Sequence, residues 1–171
     1  MKSFQYRFKT EYRFTGDFDA LFERIANVVE WPNWWSSVVS VKPITQFADP
    51  LALGTVYEVV WRGFLPYQLA MTAELVAFEP KKSIKIVSQG DMQGQGHWQF
   101  VDLAPSVANS TVHTATYLWE VNLDPAKYAS QIWQHFGWLL SLNHHYVMKQ
   151  GAIGLSRALG FKVAARALPV N

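Results

Sequence analysis

Residues 124–160, DPAKYASQIWQHFGWLLSLNHHYVMKQGAIGLSRALG, decide how this chain folds. Asp124-Pro125 reads as a helix start with proline just inside it, and Gly160 reads as a stop. Between them Ile132, Phe136, Leu139, Leu140, Asn143, Val147, Gly151, Leu155 and Leu159 recur at steps of three and four. This spacing predicts one long helix, roughly 125–159, with a single greasy face. At a rise of about 1.5 Å per residue it would span on the order of 50 Å, enough to cross a whole sheet.

The residues before it predict that sheet. From Phe4 to Phe14 the chain alternates strictly: Phe4, Tyr6, Phe8, Thr10, Tyr12 and Phe14 on one parity, Gln5, Arg7, Lys9, Glu11 and Arg13 on the other. A period of two is a half-buried strand, here with an aromatic inner face. Asp17 is placed to cap a helix whose apolar stripe is Phe18, Leu21, Phe22, Ile25 and Val28/Val29. Pro32 ends that helix near Glu30 and opens a second short one, Pro32–Ser37. From Val38 to Val121 the signals are strand and turn, with strands near 38–47, 54–62, 67–79, 83–89, 95–102 and 111–122. Asp49-Pro50, Gly63, Pro66, Pro80 and Gly90-Asp91 fall among the breakers between them. These connections are too short for helical crossovers, so the strands are antiparallel. The expectation is an α+β fold: a curved antiparallel sheet of about seven strands, two short helices after the first strand, and one long terminal helix as its only sizeable cover. A bent sheet that cannot close fully on a helix leaves a cavity walled by its inward parity. Residues 1–171 show no repeat, low-complexity tract or linker, so a single domain is expected.

Composition narrows the function classes. Half the 171 residues are hydrophobic and 16% are charged, against a usual ~25%, which excludes a disordered polyelectrolyte. The absence of cysteine excludes disulfides, thiolate metal sites and cysteine nucleophiles, and fits a reducing compartment. A net charge of +2 is too small to imply a polyanion, and the aromatics sit on buried parity, so no nucleic-acid partner is expected. All 13 acidic residues lie at or before Asp124, leaving Lys127, Lys149, Arg157, Lys162 and Arg166 without an acid after it. The plain account is a solvated basic helix face; the functional one is weak attraction to anionic surfaces or ligands. The amino terminus has no apolar signal-peptide core. No uncharged apolar run reaches the ~18 residues of a span. The expectation is a soluble, cytoplasmic protein without stable membrane insertion.

Three local pieces, taken in order, resemble the START-like (Bet v 1-like, SRPBCC) superfamily, in particular its polyketide cyclase/dehydrase and lipid-transport branch. They are Val28-Val29-Glu30-Trp31-Pro32-Asn33-Trp34-Trp35-Ser36-Ser37-Val38, Gly94-Gln95-Gly96-His97-Trp98-Gln99-Phe100, and Thr111-Val112-His113-Thr114-Ala115-Thr116-Tyr117-Leu118-Trp119-Glu120-Val121. The element order over the whole chain is similar too. The resemblance implies a helix-grip fold, in which a curved sheet grips the terminal helix around a deep cavity for an apolar ligand. It implies no shared catalytic motif, and it places Trp31, Trp34 and Trp35 where such cavities have their mouth. Packing against the end of the long helix is the plainer account of those three rings.

Strand parity supplies the candidate ligand-binding residues. Tyr57 and Trp61, Leu69 and Met71, Trp98 and Phe100, and His113, Tyr117 and Trp119 point inward, on four strands. Trp and Tyr carry an apolar face and one polar tip each, which suits a pocket for flat or elongated apolar ligands better than a sealed core. Leu140, Asn143 and His144 would face them from the helix. Asn143 and His144 are suited to bond a ligand carbonyl or hydroxyl, and His144 to act as an acid or base near neutral pH. The plainer account makes them a boundary pair satisfied by backbone or water. His144 and His145 are about 100° apart on a helix and cannot share one ion, so no metal is expected, and no cofactor. No G-x-S-x-G nucleophile or phosphate-cradling glycine loop is present. The leading expectation is a protein that binds a lipid, polyketide or aromatic compound. The alternatives are a polyketide aromatase/cyclase or dehydrase using the same cavity, and an interaction protein with a filled core. Phe64 and Leu65 at a hairpin tip, or a sheet edge, would serve a homodimer.

Overall fold

A computed structural model describes residues 4–103, 111–123 and 137–170. Its strands are β1 (Phe4–Phe14), β2 (Val38–Pro43), β3 (Val56–Trp61), β4 (Leu69–Glu79), β5 (Ser83–Gly90), β6 (Gln93–Val101), β7 (His113–Leu123) and β8 (Val163–Leu168). Its helices are α1 (Phe18–Ala26), α2 (Trp31–Trp34) and α3 (Gly137–Leu159), with a 3₁₀ turn at Val28–Glu30. The described strands form one antiparallel sheet in the order β2-β3-β4-β5-β6-β7-β1-β8. The part of the expected helix before residue 137 lies outside the described residues.

The aromatic alternation of β1 does what its period dictates. Thr10, Tyr12 and Phe14 are almost wholly buried, while on the opposite face Arg7 pairs with Glu120 at 2.7 Å. β1 lies between β7 and β8 and so forms the middle of one wing of the sheet. β8 corrects the expected strand count from seven to eight. Val163-Ala164-Ala165-Arg166-Ala167-Leu168 has too little β-branched or aromatic character to read as a strand. It becomes one because Gly160, in a left-handed turn, ends α3 beside the free edge of β1. Ser156 Oγ fixes the return by accepting from the Val163 N–H at 2.9 Å.

A register shift between Leu75 and Ala77 changes the inward parity of β4. Before it, Met71, Ala73 and Leu75 are buried. After it the even residue Phe78 turns inward and stacks on Phe22 of α1. Asp17 caps α1 by accepting from the Ala20 N–H at 2.9 Å, and Phe18, Leu21, Phe22, Ile25 and Ala26 bury its apolar stripe. The second short helix is Trp31–Trp34, earlier than the expected Pro32–Ser37.

α3 meets the rest of the protein closely through two glycines. A Cβ on Gly154 would lie 1.8 Å from the Trp34 carbonyl oxygen. One on Gly151 would lie 2.6 Å from Tyr12 Oη and 2.7 Å from the Trp35 ring. Tyr12 and Trp35 use that proximity to donate to helix carbonyls, Tyr12 Oη to Met148 O at 2.6 Å and Trp35 Nε1 to Val147 O at 2.8 Å.

Candidate functional site

Towards the amino-terminal part of α3 the sheet and helix do not close, and a cavity of about 150 Å³ remains between them. The strands bring one wall. Tyr6 and Phe8 come from β1, Tyr57 and Trp61 from β3, Leu69 and Met71 from β4, Trp98 from β6, and Tyr117 and Trp119 from β7. The helix brings the other, with Leu140, Asn143, His144, Val147 and Met148. The rings touch in series: Trp98 to Tyr117 at 4.7 Å and Tyr117 to Trp119 at 6.1 Å between centroids. At one side Trp31 and Trp35 pack on Trp61 at 5.8 and 5.2 Å.

Of the residues singled out from the sequence, the structure brings ten of the twelve candidate ligand-binding positions to this cavity and moves two elsewhere. Phe100 is buried deeper, edge-on to Phe22 at 5.0 Å. His113 lies in a separate aromatic box between Phe14 and Phe18, its Nδ1 2.8 Å from Asp102 Oδ1. Both have the inward parity, but they sit nearer the α1 end of the sheet, where that helix fills the interior. Of the three mouth tryptophans, Trp31 and Trp35 line the cavity and Trp34 stacks behind Trp35 at 5.3 Å. Parity placed Tyr67 inward as well, and it lines the cavity; Tyr6, Phe8, Met92, Val147 and Met148 were passed over as lining residues. The alternation of β1 already placed Tyr6 and Phe8 on the inner face; what was missing was how far along the strand α1 ceases to cover it.

Several polar tips on these walls are tied back to the protein. Trp31 Nε1 donates to Ile25 O at 2.9 Å, and Tyr57 Oη to Pro50 O at 3.2 Å. Asn143 Oδ1 accepts from the Phe64 N–H at 3.1 Å and lies against Gly63, whose missing Cβ leaves it room. Asn143 therefore fastens the β3–β4 loop to α3. Others are not, Tyr117 Oη, Trp61 Nε1 and His144 Nε2 among them. Tyr117 Oη lies over Gly96, only 2.4 Å from where a Cβ there would sit, and has no hydrogen bond to another described residue. Trp61 Nε1 and His144 Nε2 are buried without a hydrogen-bond partner among the described residues.

The His144 ring stacks on Phe8 at 4.6 Å and 17°. Burial, and after it the neighbouring His145, push its pKa down to about 3. At neutral pH it is an uncharged imidazole, with one donor and one acceptor nitrogen, rather than the acid or base near neutrality that its sequence position allowed. Burial pushes the Tyr117 hydroxyl up, so it too stays neutral. No Asp, Glu, Lys or Arg is among the described lining residues. No three His, Cys, Asp or Glu side chains among the described residues gather as metal ligands. No described helix is long and apolar enough to cross a membrane.

No family model matches the sequence, and no curated protein matches it either. Solved structures do. The chain is similar to the Zhui aromatase/cyclase from Streptomyces sp. R1128, with a TM-score of 0.64 at 12% identity over 92% of this chain and 93% of that one. It is similar to a START superfamily protein from Mycobacterium smegmatis, with a TM-score of 0.60 at 13% identity over 93% and 98%. It also matches the di-domain ARO/CYC BexL from the BE-7585A biosynthetic pathway, with a TM-score of 0.60 at 16% identity over 86% of this chain and 48% of that one. At these identities the likeness is one of fold, and it agrees with the eight-stranded sheet wrapped on a long helix: the chain has the helix-grip fold of START-like (Bet v 1-like, SRPBCC) proteins.

Proposed function

We propose that the protein binds an apolar small molecule in the cavity between its sheet and α3. The observation that carries this reading is the lining: aromatic and aliphatic throughout, free of charge among the described residues, with a few polar tips. An apolar cavity with convergent polar groups is the usual form of a small-molecule site. Void space inside a protein forfeits contacts that a filled core would make, so a cavity surrounded by large rings favours a binding role over a filled interaction module. The likeness to an aromatase/cyclase raises a second reading, cyclisation of a polyketide in the same space. That chemistry needs groups that exchange protons near neutral pH. The described lining offers a histidine held neutral and a tyrosine held protonated, which favours binding over catalysis.

Titration with an apolar fluorophore tests the reading. Trp98→Ala and Trp119→Ala are expected to weaken uptake by about tenfold or more, the scale of one lost ring contact. Thermal unfolding is expected to respond less than uptake does. Equal losses in both would make these rings core, and no uptake by the native protein would remove the binding reading altogether.

A further inference from the structure

We propose that the occupant of the cavity is a neutral compound of one or two rings whose hydroxyl donates a hydrogen bond to His144 Nε2. The proposal rests on the reading that the cavity takes up a small molecule, and it narrows which one.

Three observations converge. The first is size. The cavity is about 150 Å³, and an apolar protein cavity of about that volume takes up benzene. A long acyl chain or a chain of many ketide units is larger than that hollow, and a small guest fills it best. The walls are flat rings in series, which match a flat guest. The second is charge. With no cation among the described lining residues, a carboxylate or phosphate placed there would lose its hydration without a partner. His144 cannot supply the missing charge, because its burial and the adjacent His145 keep it neutral far below physiological pH.

The third is an unmet hydrogen bond. His144 is fixed by stacking on Phe8, and its Nε2 is buried without a partner among the described residues. An orphaned buried nitrogen is costly, and a hydroxyl on the guest satisfies it. Neither ring nitrogen of His144 has a hydrogen bond to another described residue. The proton is therefore free to reside on Nδ1, leaving Nε2 as the acceptor.

Calorimetric titration of the full chain at about pH 7.5 with four probes tests this. They are 2-naphthol, 2-naphthoate, naphthalene and 1-dodecanol. Naphthol is expected to bind at least about 100-fold more tightly than naphthoate, whose charge has no partner. It should bind about tenfold more tightly than naphthalene, the worth of one hydrogen bond. It should also bind about tenfold more tightly than dodecanol, which has the hydroxyl on a chain too long for the space. In His144→Phe, which keeps a ring against Phe8, the preference for naphthol over naphthalene is expected to vanish. Naphthoate or dodecanol binding as well as naphthol would overturn the proposal while leaving the binding reading intact. So would a preference for naphthol over naphthalene that is absent in the native protein or survives in His144→Phe. Failure of all four probes to bind would overturn both. The native-protein comparisons decide the matter even if the variant does not fold.

Discussion

Tyr12 and Tyr117 are inward-facing tyrosines on neighbouring strands, two rows apart in the β1–β7 ladder, yet they end in different surroundings. Tyr12 is wholly buried and donates to the Met148 carbonyl. Tyr117 lines a cavity and its hydroxyl has no hydrogen bond to another described residue. The sheet offers the same kind of side chain in both places; the helix does not. Near Tyr12 it presents Gly151, so backbone and ring meet. Near the cavity it presents the larger side chains of Leu140, Asn143 and His144. The two halves of α3 thus differ in how closely the helix backbone meets the aromatic rings.

Enlarging the small residues attacks that contrast most directly. On an ordinary exposed helix, glycine to alanine stabilises by up to about 1 kcal/mol. Here Gly154→Ala is expected to destabilise by about 3 kcal/mol or more, because the new methyl would meet the Trp34 backbone carbonyl. Gly151→Ala should cost less, about 1–3 kcal/mol, because the Tyr12 and Trp35 side chains can shift to give it room. Urea unfolding of both variants measures this. A gain in stability for either would mean that α3 does not approach the sheet through these positions.

Acid tests the other half of the helix. A histidine whose folded pKa lies below its ordinary 6.5, here at about 3, binds its proton more readily in the unfolded chain. Its contribution is fully present above about pH 6.5 and is lost as pH falls from there toward 3, at up to about 1.4 kcal/mol per pH unit. His97 shifts in the same direction, from burial and then Lys85, and adds to the slope. His144→Phe is expected to flatten stability against pH across that window, by up to about 2–4 kcal/mol at the acid end. Unchanged acid sensitivity in the variant would place His144 in water.

Periodicity carried the sequence a long way toward this arrangement. The alternation of β1, the cap at Asp17 and the three- and four-residue steps of α3 each repeat locally, so short stretches contain their own geometry. Parity correctly sorted Tyr57, Trp61, Met71, Trp98, Tyr117 and Trp119 to one face of the sheet. It failed where tertiary context sets the outcome. β8 depends on the free edge of β1, and Phe78 depends on a bulge. Phe100 and His113 share the inward parity but lie under α1 or beside it, away from the hollow. A period of two says which face a residue takes; it does not say what lies over that face.

The smallest expected effect isolates a single oxygen atom at each of the two tyrosines. Tyr12→Phe removes a buried hydroxyl that is hydrogen-bonded, and should cost about 1 kcal/mol, a drop of about 2–4 °C in Tm for a chain of this length. Tyr117→Phe removes a hydroxyl that has no such bond and faces the cavity, and should leave Tm unchanged or slightly raised. A Tyr117→Phe variant as destabilised as Tyr12→Phe would show that its hydroxyl is satisfied in the empty protein. If that hydroxyl instead meets a guest, Tyr117→Phe should leave the empty protein as stable as before while lowering the stability gained on adding 2-naphthol. That second measurement separates a tyrosine kept for the fold from one kept for the occupant.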